Sequence, residues 1–151
     1  GGTSTQDIWL VYSPVSNDRA FVDALCALYY LPEQYKLMVV DTEDSHEMPA
    51  EHHDLMSRVQ ITGKKAGLSD EAIPFAFIHG EAGKTHTHRS DKEAPTVIVT
   101  DQPDQYVKDN EWDGFTVPTD KPEALASAIL NIARTSLYYR GLQLVKQSFA
   151  S

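Results

Sequence analysis

The chain has 151 residues and a formal net charge of −9, from 13 Lys and Arg against 22 Asp and Glu. That length suits one domain able to bury roughly two-thirds of its unfolded surface, and leaves too little chain for two. The acidic balance repels nucleic-acid phosphates and anionic headgroups, so binding to either by charge alone is disfavoured.

Gly1-Gly2-Thr3-Ser4-Thr5-Gln6 is polar and lacks the apolar centre of a signal peptide, so residues 1–6 read as a tag or disordered start before a single domain over 7–151. No apolar run approaches the roughly 18 residues of a membrane span. One cysteine, Cys26, cannot form an internal disulfide, and a reducing, cytoplasmic compartment is expected for such a chain. Because Cys26 follows Leu25 on an apolar stripe with no charged partner evident, it is predicted to pack in the core rather than act as a reactive thiol.

Asp7 to Tyr12 is a short apolar run ended by Ser13-Pro14, too short for a helix and suited to a strand buried on both faces. Asn17 or Asp18 can cap a helix in which Phe21, Val22, Leu25, Cys26, Leu28 and Tyr29 recur at helical spacing until Pro32. Tyr35 to Asp41 repeats the strand signature, and the intervening length fits a right-handed crossover between parallel neighbours. After an acidic loop bearing histidines, Leu55, Met56 and Val59 predict a helix running toward Ala66-Gly67. Pro74 to Gly80 reads as a third strand, with its proline at the first position.

From Glu81 to Glu93 no hydrophobic period is present, which predicts a solvated loop. Pro95 to Asp101 is another central strand, and Phe115-Thr116-Val117 a shorter one nearer an edge, with a helical turn between them. Asp120 and Glu123 form a start like a capping box for a helix carrying Ala124, Leu125, Ala128, Ile129, Ile132 and Ala133 on one face. Ser136 to Phe149 is expected to form a last helix across the domain. The alternation predicts a three-layer Rossmann-like α/β domain with a mostly parallel sheet of about five strands, and ligands outside the carboxyl ends of the strands.

Ala94-Pro95-Thr96-Val97-Ile98-Val99-Thr100-Asp101, followed by Asp113-Gly114-Phe115-Thr116-Val117-Pro118-Thr119-Asp120-Lys121-Pro122-Glu123-Ala124-Leu125-Ala126, resembles the donor-binding half of the family 4 glycosyltransferases of GT-B fold. In that family a Pro-Val-Val-Ala-Thr strand leads to an Asn-Gly-Phe-Leu-Val-Pro turn and a helix beginning Pro-Glu-Ala-Leu-Ala. The resemblance implies a nucleotide-sugar donor, an acceptor-side partner domain across a cleft, and no activity for this domain alone. It also implies that Arg19, which falls where the family has a lysine, faces the donor diphosphate, a role suited to a fixed guanidinium. Position at strand ends adds Gly80, Asp101 and Asp104 to the expected donor-binding residues.

The departures are specific. Between the third strand and Pro95 the family inserts a helix, a strand and a second helix that carries two glutamates about two turns apart. Here Glu81 to Glu93 stands in their place, and neither of those glutamates sits in the family's context, so no catalytic residue is assigned. Gln102-Pro103-Asp104-Gln105 replaces the paired glycines expected after the Pro95 strand, which makes close backbone approach to a phosphate harder.

Two other functional classes compete. Asp7 to Ser13 with Asp18-Arg19-Ala20-Phe21-Val22 also resembles the opening of a TIR domain, a flavodoxin-like signalling or NAD-cleaving module. The third alternative is a noncatalytic Rossmann-like domain that kept the scaffold, lost the donor site and serves as an interaction surface. Gly80-Glu81-Ala82-Gly83-Lys84-Thr85 is not a phosphate loop, because the first glycine of that motif would stand where Ile78 is. His46, His52, His53, His79, His86 and His88 match no His-Glu-x-x-His pattern and are expected to be solvated, so neither metal nor cofactor is assigned.

Overall fold

The computed structural model describes residues 7–12, 19–40, 47–62, 74–80 and 94–135. Within them, β1 (Ile8–Tyr12) leads to α1 (Arg19–Ala27), which tightens into a 3-10 turn at Leu28–Tyr30 before β2 (Tyr35–Val40). A 3-10 segment at Ala50–Arg58 then runs directly into β3 (Val59–Thr62), followed by β4 (Pro74–Gly80) and β5 (Thr96–Thr100). After β5 come α2 (Pro103–Asn110), β6 (Phe115–Pro118) and α3, which spans 122–135.

All six strands lie in one sheet in the order β3-β2-β1-β4-β5-β6, and every neighbouring pair is parallel. The chain winds outward from β1 to β3, then returns to the middle at β4 and winds outward to β6. The order therefore reverses between β1 and β4, which makes a crevice at their carboxyl ends the natural ligand position of this α/β domain.

Alternation along the strands separates the two faces. Leu10, Tyr12, Leu37, Val39, Ala76, Ile78, Val97 and Val99 join α1 and α3 in the larger cluster, while Val11, Met38 and Phe77 face the other way. From α1 that cluster takes Ala20, Phe21, Ala24, Leu25, Ala27 and Leu28, and from α3 Leu125, Ala126, Ala128, Ile129 and Ile132. The buried stripe of α1 is thus rotated from the one the sequence predicts: Val22 and Tyr29 are exposed, Cys26 is half-buried and Asp23 is buried. Cys26 is accordingly not the core residue expected.

Two further expectations fail. The helix predicted from Leu55 toward Gly67 is a kinked 3-10 segment with non-helical angles at His52, then a strand, which brings the parallel sheet to six strands. Only Leu55 is buried in that segment, too little apolar surface to hold an α-helix, whereas β-branched Val59 and Ile61 suit pairing beside Leu37 and Val39. Asp120 does not cap α3. Its φ is 63°, Pro122 occupies the first helical position, and the Lys121 carbonyl accepts the amides of Ala124 and Leu125. The carboxylate of Asp120 is instead bound by Arg19. The predicted helix over 136–149, the loop over 81–93 and the start at residues 1–6 lie outside the described residues.

Candidate functional site

The carboxyl ends of β4, β5 and β6 meet beside the first turn of α1. Gly80 closes β4, Thr100 closes β5, and Thr119 follows β6, with the Thr119 amide donating to the Thr100 carbonyl at 3.1 Å. The Thr100 hydroxyl accepts the Gln102 amide at 3.3 Å, which turns the chain at Asp101 toward α2. Above these ends sits the first turn of α1. Arg19, Ala20, Gly80, Val99, Thr100, Asp101 and Thr119 line a recess of about 30 Å³.

The guanidinium of Arg19 spans the recess. It donates to Asp101 Oδ2 at 3.2 Å and to Asp120 Oδ2 at 2.8 Å. Arg19 and Asp23 stand four residues apart and so share a face of α1. Asp23 Oδ2 accepts the backbone amide of Asp120 at 3.0 Å. Asp120 is therefore held twice by one helix face, through its carboxylate by Arg19 and through its amide by Asp23. The left-handed backbone at Asp120 brings both groups to α1, and aspartate is among the residues that tolerate it.

The electrostatics follow from this geometry. The hydrogen bond to Asp120 and the charges of Asp101 and Asp120 push the Arg19 pKa above its ordinary value. Burial pushes the carboxyl of Asp23 up, an effect that the Asp120 amide and the Arg19 charge partly oppose. Among the described residues, Arg19 with Asp101 and Asp120 carries one positive and two negative charges, a net negative group.

Of the four residues expected at a donor site, Arg19, Gly80 and Asp101 line this recess, and Asp104 does not. Asp104 is exposed in the first turn of α2. Asp23 and Asp120 are the residues that sequence reasoning missed. The signal for Asp23 was an acid at the fourth position after Arg19 amid Ala20, Phe21, Ala24 and Leu25.

Among the described residues no group of three or more His, Cys, Asp or Glu is placed to hold an ion. His79 lies stacked beside Phe77 with ring centroids 6.3 Å apart, His53 is exposed, and His52 is half-buried. His46, His86 and His88 are outside the described residues. No helix among the described residues is long and apolar enough to cross a membrane. Comparison with protein-family models, with curated proteins and with solved structures returned no match.

Proposed function

We propose that this domain is a noncatalytic relative of the GT-B donor-binding domain, with a crevice closed to nucleoside diphosphates and a scaffold that serves a protein partner. One observation carries the proposal: the guanidinium that the resemblance assigns to the donor diphosphate is already bound by Asp101 and Asp120. A diphosphate would have to displace both carboxylates and then remain beside them. Kinship with the donor domain is supported by the parallel order of the sheet and by the strand, helix, strand and helix that Thr96 to 135 adopts.

The test is an NMR titration of the full chain with UDP-, GDP- and ADP-sugars and with NAD. No saturable shift is expected. Saturable shifts at Arg19, Gly80 and Asp101 with a sugar nucleotide would overturn the proposal in favour of a retained donor site, a reading that the convergence of those residues favours. Shifts with NAD alone would support the TIR-like alternative, and hexose transfer by this chain would contradict the lack of activity alone that both kinship readings share. Replacing Asp101 and Asp120 together by asparagine removes two negative charges from beside Arg19, and should allow weak phosphate binding.

A further inference from the structure

At the other end of α1, about two helical turns below Arg19, Cys26 meets a chain of polar groups that the crevice does not use. Cys26 Sγ lies 3.8 Å from His52 Nε2, Tyr29 Oη lies 3.1 Å from His52 Nδ1, and Tyr29 donates to Asp54 Oδ1 at 2.8 Å. A phenol has one hydrogen, and Asp54 receives it. The Tyr29 oxygen can therefore only accept from His52, so the neutral imidazole carries its proton on Nδ1 and turns the lone pair of Nε2 toward the thiol. The hydrogen bonds then run in one direction, from the Cys26 thiol through His52 and Tyr29 to the Asp54 carboxylate.

This is the arrangement of a nucleophile, a base and a group that orients the base. His52 sits at the kink between two 3-10 turns, with φ −115° and ψ 22°, and its ring packs against that of Tyr29 at 5.7 Å. Tyr29 and Asp54, though not Cys26 or His52, also line a groove of about 290 Å³. Lys36 and Arg58 bring positive charge to that groove, and Glu33 and Asp54 negative charge. Burial, with Asp23 and Glu51 nearby, holds the thiol pKa above its usual value, so attack by this sulfur needs a base to take its proton.

We propose that Cys26 is a site of thiol–disulfide exchange with a small zwitterionic disulfide, in which His52 is the base and Tyr29 and Asp54 hold it. In the exchange the proton of Cys26 moves to His52 Nε2, and Sγ attacks one sulfur of the disulfide. The S–S bond breaks as the new one forms, and the departing thiolate takes the proton back from His52. The product is a mixed disulfide and one free thiol, with no other oxidant required.

The experiment uses the full chain and glutathione disulfide as probe, following adduct mass and rate across pH 6 to 10. A single adduct on Cys26 is expected. His52→Ala should slow it about tenfold or more near neutral pH, and should shift the rise of the rate to higher pH, where the thiol ionises unaided. Tyr29→Phe keeps the ring but breaks the chain of hydrogen bonds, and should slow the reaction severalfold with the fold intact. Unchanged rates and pH profiles in both variants, or no adduct, would overturn the proposal. A charged disulfide should outrun uncharged hydroxyethyl disulfide by more on this protein than on an unfolded cysteine peptide, and equal ratios would remove the groove from it.

Discussion

Gly114→Ala gives the sharpest test of the packing that sets β6 in place. A methyl group at residue 114 would lie 2.5 Å from Cζ2 and 2.8 Å from Cε2 of Trp112, closer than carbon atoms approach. The Trp112 ring cannot shift freely. Its Nε1 donates to the Phe115 carbonyl at 3.1 Å, and its edge meets the buried ring of Tyr106 at 6.3 Å. Overpacking of this kind costs about 1–3 kcal/mol, and loss of the indole hydrogen bond about 1 kcal/mol more. Alanine also restricts the unfolded chain, which returns up to about 1 kcal/mol. The net expectation is a loss of about 1–3 kcal/mol, read as a lower urea midpoint or a fall of several degrees in Tm. The control is the same substitution in a Trp112→Ala background, where no ring remains to be struck. There Gly114→Ala should be neutral or stabilising, and an equal loss in both backgrounds would refute the steric account.

Three further outcomes follow from named contacts. Because burial raises the Asp23 carboxyl above its unfolded value, ionising it disfavours the native state. Its contribution is thus most favourable below the ordinary carboxylate range and fades as pH rises through the raised pKa. Asp23→Asn should remove that slope from urea unfolding curves measured between pH 4 and 7. Arg58 donates to the carbonyls of Tyr35, Leu31 and Pro32, at 3.2, 3.2 and 2.8 Å, and Arg58→Ala should cost about 2 kcal/mol by the same assay. In hydrogen exchange the Val59–Thr62 amides that bond to β2 should be protected, and rapid exchange throughout would remove β3 from the sheet.

Much of the fold was legible because buried parallel strands leave short apolar runs between turn residues. Ile8–Tyr12, Tyr35–Val40, Pro74–Gly80 and Thr96–Thr100 stand within a residue or two of where the pattern puts them. β3 was missed because Val59, Gln60, Ile61 and Thr62 make only half of an edge-strand pattern, and Leu55 and Met56 before them extend a helical spacing across it. For the crevice, strand-end position found Gly80 and Asp101, while Arg19 came from the resemblance. What sequence could not supply was the pairing. Arg19 meets Asp101 and Asp120 across 82 and 101 residues of chain, a distance that no local spacing encodes. The aspartate taken as a cap was drawn away by that long-range partner.

Recognising β3 also changes how large the departure from a donor domain is. With Val59–Thr62 as the third strand, Pro74–Gly80 becomes the fourth and, on the proposed kinship, corresponds to the strand that the family inserts before its glutamate-bearing helix. On that alignment the paired glutamates would fall in the sequence 81–93. Its acids are Glu81, Asp91 and Glu93, none of which is separated by the roughly seven residues that two turns require. On the proposed kinship, the departure is therefore chemical rather than architectural. Strand order makes the same point against the flavodoxin-like alternative, whose order is 2-1-3-4-5. Remove β3 from this sheet and the five strands left have that order, so the four residue pairs joining Leu37–Val40 to Val59–Thr62 are what distinguish the two topologies.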